Sequence, residues 1–146
     1  MPRACLDRYA DLVTEPDTRP EIRVSAAVIT DAGGRLLVVR KSGTTAFMQP
    51  GGKPEPGEDA AQTLVRELEE ELGIRVTDAD LRALGTFTAP AANEAGHLVV
   101  ADVFATEIGD ARPVVGAEIA ELRWVVRADA DQVEIAPLAL AYFLPE

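Results

Sequence analysis

GGKPEPGEDAAQTLVRELEEELGI, residues 51–74, joins a loop rich in glycine and proline to a segment with helical periodicity. Within the loop, Glu55-Pro56-Gly57-Glu58 has the Pro-then-Gly order of a type II turn. On a helical wheel Ala61, Leu64, Val65, Leu68 and Leu72 fall on one apolar face, and Gly73 stands where a left-handed C-terminal cap belongs. Such a helix is expected to pack on a sheet. Positions three and four apart are surface neighbours, so Glu67, Glu70 and Glu71 share a flanking arc. Like charges at that spacing repel by roughly 0.2–0.5 kcal/mol per pair, and the arrangement therefore calls for a positive charge.

Outward from this stretch the pattern turns to strands. Residues 22–30 (IRVSAAVIT) predict a strand, DAGG supplies a turn, and residues 35–41 (RLLVVRK) predict its hairpin partner. Further strands are expected over residues 84–88, 97–106 and 122–126, and Pro137 opens a final helix through Phe143. TEPDTRP, residues 14–20, reads as a linker, so residues 1–20 are expected to form an arm with a short helix and residues 21–146 the domain. The mixed element order predicts an α/β fold in which helices flank a sheet.

A chain of 146 residues, 47% hydrophobic and 27% charged, fits one compact domain without internal repeats. Fourteen basic residues stand against 25 acidic ones, a net charge of -11. That balance argues against a nucleic acid polymer or an anionic membrane as partner. An anionic small molecule would need a bridging cation. Cys5 is the only cysteine, so no intrachain disulfide or cysteine metal cluster is expected, and a reducing cytoplasm fits. Charges at Arg3, Asp7, Arg8 and Asp11 interrupt the start, and no run approaches a membrane span, so a soluble cytoplasmic protein is expected.

A glutamate-rich helix is ordinarily a solvated face. Here the spacing runs Gly52, five residues, Glu58, seven residues, Arg66-Glu67-Leu68, one residue, Glu70-Glu71, one residue, Gly73-Ile74. Ordinary residue frequencies would produce these nine positions by chance with odds on the order of one in a million. The pattern resembles, without departure, the Nudix box of hydrolases that cleave nucleoside diphosphates linked to another group. The motif covers residues 52–74, and the architectural likeness extends over roughly residues 22–144.

The resemblance implies an α/β/α sandwich with a mixed sheet, and magnesium or manganese as cofactor. It implies Glu70 and Glu71 as metal ligands, Glu67 as ligand or general base, and the Gly52 carbonyl as a further ligand. Glu58 and Arg66 match the pair that orients the carboxylates. Relatives often place another acid in a loop before a strand. Glu118, six residues before Trp124, is the favoured candidate as ligand or base, and Glu121 is the reserve choice. Arg40 and Lys53 match positions that contact substrate phosphates in relatives, although isolated cations of this kind are commonly just solvated.

Hard cations prefer oxygen ligands, and magnesium usually takes one or two carboxylates with waters and phosphates. The expected reaction is metal-assisted attack of water on a pyrophosphate without a covalent nucleophile. His97, the sole histidine, reads as an ordinary strand-start residue. Phe47, Met48 and Phe87 read as core residues before base-stacking ones. Gln49 stands where relatives often carry an apolar or aromatic residue, a departure expected to affect pocket shape. The short chain leans toward nucleoside triphosphates as substrates, whereas Pro90, sixteen residues beyond Ile74, hints at ADP-ribose or nucleotide sugars. A non-catalytic nucleotide sensor is the alternative from another class, disfavoured because every box glutamate is present. Many relatives are dimers, so a homodimer is among the expected assemblies.

Overall fold

A computed structural model describes residues 17–146. The short helix expected in the N-terminal arm lies outside the described residues. Six strands follow: β1 (Glu21–Val28), β2 (Leu36–Lys41), β3 (Gly51–Gly52), β4 (Arg82–Pro90), β5 (Leu98–Ala105) and β6 (Ile119–Val125). Helix α1 (Ala60–Leu72) lies between β3 and β4, and α2 (Pro137–Tyr142) follows β6.

One sheet has the order β3-β1-β5-β4, with β1 parallel to β5 and the other pairings antiparallel, while β2 and β6 pair antiparallel in a second sheet. The expected hairpin of residues 22–30 with 35–41 is therefore corrected. The DAGG turn closes as expected, with Asp31 accepting N–H bonds from Gly33 and Arg35, and a single bridge joins Thr30 to Leu36. Beyond that bridge β1 and β2 take different partners, β5 and β6. Both strands carry apolar residues on both faces, and such strands bury fully between layers better than as a two-stranded ribbon.

Alternation along β2 defines the layers. Leu37 and Val39 pack with Leu64, Leu68 and Leu72 of α1 and with Ala27 of β1. Leu36 and Val38 face the opposite way, toward Ala139 of α2, Phe47 and Ile135. The strands are thus sandwiched between the two helices, the α/β/α arrangement anticipated above. Helix α1 starts at Asp59, whose carboxylate accepts from the Gln62 N–H while the Gln62 side chain accepts from the Asp59 N–H. It ends at Gly73, which has φ 66° and donates to the Glu69 carbonyl. On the buried side the wheel needs one correction. Ala61 and Val65 are only half-buried, whereas Thr63 and Glu71 join Leu64, Leu68 and Leu72 in the interior.

The segment before β3 crosses between the sheets. Val39 and Met48 exchange both backbone bonds, and two residues later the Pro50 carbonyl accepts from Ala27 of β1. Gly51 then lies so close to β1 that a Cβ there would sit 1.9 Å from the Ser25 carbonyl oxygen, so the approach requires glycine. This contact brings the loop that begins at Gly51 against the body of α1, where Gly51 donates to Glu71 and the Lys53 carbonyl and Glu58 accept from Arg66.

Candidate active site

Arg66 organises the acidic residues. Its Nε and Nη2 donate to Glu58 at 2.8 and 3.0 Å, a bidentate pair. Nη1 donates to Glu67 at 2.9 Å and to Glu70 at 3.2 Å, and Nη2 also donates to the Lys53 carbonyl at 3.0 Å. One guanidinium therefore ties the loop to the helix. The Arg66 bond, helped by the Glu55 N–H, holds the Glu58 carboxyl down at about 2.

The other two carboxylates sit deeper. Glu71 is 2% exposed, and its Oε1 accepts from the Gly51 N–H at 2.9 Å. Burial pushes its carboxyl up to about 7 against the pull of that bond, and the charges of Glu67 and Glu118 push in the same direction. Glu67 is also raised, chiefly by burial, with Arg66 opposing. Its carboxylate lies on Gly52, where an added Cβ would stand 2.5 Å from Oε1. Glu70 is half exposed.

The loop before β6 docks on the end of α1. Val114 and Gly116 donate to the Leu72 and Glu71 carbonyls at 2.9 Å, satisfying acceptors that a helix end leaves open. A Cβ on Gly116 would come within 2.8 Å of the Glu70 carbonyl oxygen, so this docking also depends on glycine. Two residues on, Glu118 borders the same cleft as Glu67 with a side chain 71% exposed. Glu121 lies instead on β6, bonded to Arg123 at 3.0 Å and Arg40 at 3.3 Å, and the Arg123 bond leads in lowering its pKa.

Arg40 is not brought to the carboxylate group. It pairs in register with Glu121, donates to the Thr44 carbonyl at 2.9 Å and lies 5.9 Å from the Phe47 ring centroid. Lys41 takes the place facing the carboxylates, with Nζ 3.8 Å from Glu118. Sequence reading missed this residue. The signal was strand alternation, since Lys41 shares the parity of Leu37 and Val39, which face α1. The register also shifts between Arg40 and Lys41, and such bulges re-aim side chains.

The NUDIX domain model matches residues 20–146. The chain belongs to the Nudix family. Among Nudix relatives it is 39% identical over 64 residues to the 8-oxo-dGTP diphosphatase of Haemophilus influenzae, covering 41% of this chain and 47% of that one. The ORF135 protein of E. coli superposes with a TM-score of 0.58 at 28% identity, covering 84% of this chain and 86% of that one. The MutT protein of Methanosarcina mazei superposes with a TM-score of 0.60 at 26% identity, covering 74% and 78%. The chain spans about half the length of the Haemophilus protein and 65% of the Bacillus subtilis Nudix hydrolase YvcI.

The Nudix box borders a cleft of about 440 Å³. Lys41, Lys53, Arg66, Glu67 and Glu118 line its polar part, and Ile22, Val24, Met48, Val99 and Leu138 are among its apolar lining. Lys53 is exposed at this border, and Pro90 also lines the cleft. Phe47 is buried in the core, and Phe87 packs edge-on against Phe143 with centroids 4.9 Å apart. His97 sits in the turn before β5, its Nδ1 3.2 Å from the Ala95 carbonyl oxygen.

Among the described residues no three acidic, histidine or cysteine side chains stand in coordinating geometry. The donor chemistry nevertheless fits a hard divalent cation. Every donor is oxygen, and a cation would offset both the burial that chiefly raises the Glu71 carboxyl and the smaller push from the charges of Glu67 and Glu118. Among the described residues no helix is long and apolar enough to cross a membrane.

Proposed function

We propose that this chain is a divalent-metal-dependent pyrophosphohydrolase acting on a nucleoside di- or triphosphate or a nucleotide derivative, with a nucleoside monophosphate among its products. The observation that carries the reading is the pairing of Glu71 and Glu67 with Gly51 and Gly52 beside an apolar-walled cleft. That pairing puts a charged, oxygen-rich edge next to room for a base. Nudix hydrolases generally use divalent metals. Glu67, Glu70, Glu71, the Gly52 carbonyl and Glu118 are the groups that would hold magnesium or manganese. The cation would supply positive charge to the pyrophosphate and to the attacking water.

The protein's own groups do the rest. Lys41 and Lys53 offer ammonium charges to phosphate oxygens at the mouth of the cleft. Arg66, held by Glu58, fixes the helix against the loop and keeps the carboxylates aimed. Water forms a new bond to phosphorus as the bridging P–O bond breaks. Its proton passes to a carboxylate oxygen of Glu118 or Glu67. Arg40 is assigned no phosphate contact, because its guanidinium is engaged by Thr44 and Glu121.

A second reading, an ADP-ribose or nucleotide-sugar pyrophosphatase, is favoured by Pro90 in the cleft lining. A hydrolysis screen over nucleoside triphosphates, 8-oxo-dGTP, ADP-ribose, nucleotide sugars and dinucleoside polyphosphates, with magnesium or manganese and again with chelator, tests both. Chelator-sensitive release of a monophosphate from one class is the expected result. Tight nucleotide binding without turnover under any metal would identify a sensor instead.

A further inference from the structure

Gln49 is 6% exposed, lines the cleft beside Met48, and donates from Nε2 to the Ala27 carbonyl at 3.0 Å. Its Oε1 is the one buried side-chain polar atom among the described residues without a hydrogen-bond partner. The orientation of the amide is not arbitrary. The Ala27 carbonyl accepts only from N–H, so the nitrogen must face it and the oxygen is left as an acceptor. Backbone bonds at Met48 and Pro50 hold the segment to β2 and β1, and the Nε2 bond to Ala27 orients the amide. Leaving such an acceptor unpaired in a low-dielectric interior is costly, and buried polar groups without partners call for an explanation.

The surroundings indicate what would pair with it. The neighbouring cleft lining includes Ile22, Val24, Met48 and Leu138, a setting for a flat heterocycle, while the charged edge lies at the box. We propose that Gln49 is a specificity-determining residue that reads the substrate's base. Its Oε1 accepts a hydrogen bond from a ring N–H or exocyclic amine and disfavours bases that present a bare ring nitrogen or a methyl group there. The proposal rests on the pyrophosphohydrolase reading for its substrate class, but binding alone can test it.

Calorimetric binding of the nucleoside monophosphates of the five common bases, in chelator, would be measured for the parent protein and for Gln49→Met. The tightest ligand would then be compared with its analogue fully N-methylated at the donor. The parent should prefer the donor-bearing ligand by on the order of tenfold or more, as one desolvated hydrogen bond provides. Gln49→Met should bring the two within about threefold. Equal binding of donor and methylated ligands by the parent would overturn the proposal without use of any variant. A Gln49→Met protein that kept the full preference would overturn it too. In a parallel hydrolysis assay, absence of turnover together with Gln49-dependent binding would reject the pyrophosphohydrolase reading and support the base contact. Turnover with no dependence on the base would do the reverse.

Discussion

Glu71 combines deep burial with one backbone donor, and its carboxyl titrates near 7 instead of 4.5. A carboxyl raised on folding favours the folded state while protonated. The stability it contributes is fully present below pH 4.5 and is lost as pH rises through about 7. Metal-free protein should therefore melt lower at pH 8 than at pH 5, the Glu71 contribution being at most about 3 kcal/mol. Glu71→Gln should flatten that dependence and melt no lower than the parent at pH 8 in chelator. An unchanged pH slope in the variant would show that Glu71 is not the group responsible. The two basic neighbours on β2 give a second test. Lys41→Ala should lower kcat/KM by about tenfold through a lost charged contact, as should Lys53→Ala, while Arg40→Ala leaves it within about twofold. The reverse ranking at subsaturating substrate would return the phosphate role to Arg40. The acidic set was legible because its members lie on one short stretch at helical spacing. Which of the two adjacent cations, Arg40 or Lys41, faces the carboxylates was not, because it depends on which strand face meets α1 and on a register shift in the β2–β6 pairing.

At the scale of elements, the site depends on two docked loops. The loop of residues 51–59 is held by Gly51 against β1 and by Arg66 against Glu58, and the loop before β6 is held by Gly116 against the last turn of α1. Glu118→Gln should reduce turnover more than Glu121→Gln, with little change in melting temperature for Glu118→Gln, because an exposed loop acid adds little to the core. Gly116→Ala should also lower turnover by displacing the Glu118 loop while every acidic side chain remains present. Full activity in Gly116→Ala would mean that the docked position of the loop does not matter. The turn at residues 55–58 and the Gly73 cap could be read directly, since both rest on local backbone rules. The partners of β1 and β2 could not. Their runs of apolar residues suit a hairpin and a buried sandwich strand equally, and only the distant strands β5 and β6 separate the two outcomes.

Across the whole molecule, a net charge of -11 coexists with a cleft where Lys41, Lys53 and Arg66 meet Glu67 and Glu118. The excess of acid makes a cation at the box the natural link to an anionic phosphate, so charge balance and geometry support the same chemistry. The α/β/α layering then places the charged edge beside the apolar wall within one cleft. The most direct test is turnover of the best substrate from the nucleotide screen by the parent, Glu70→Gln and Glu71→Gln, each in magnesium and in chelator. Folding of each protein would be verified by its melting curve. The parent should be active only with metal, and each folded variant should be slower by at least about 100-fold, roughly 2.7 kcal/mol of barrier. Parent-like turnover by either variant, or turnover by the parent that survives chelation, would contradict the account.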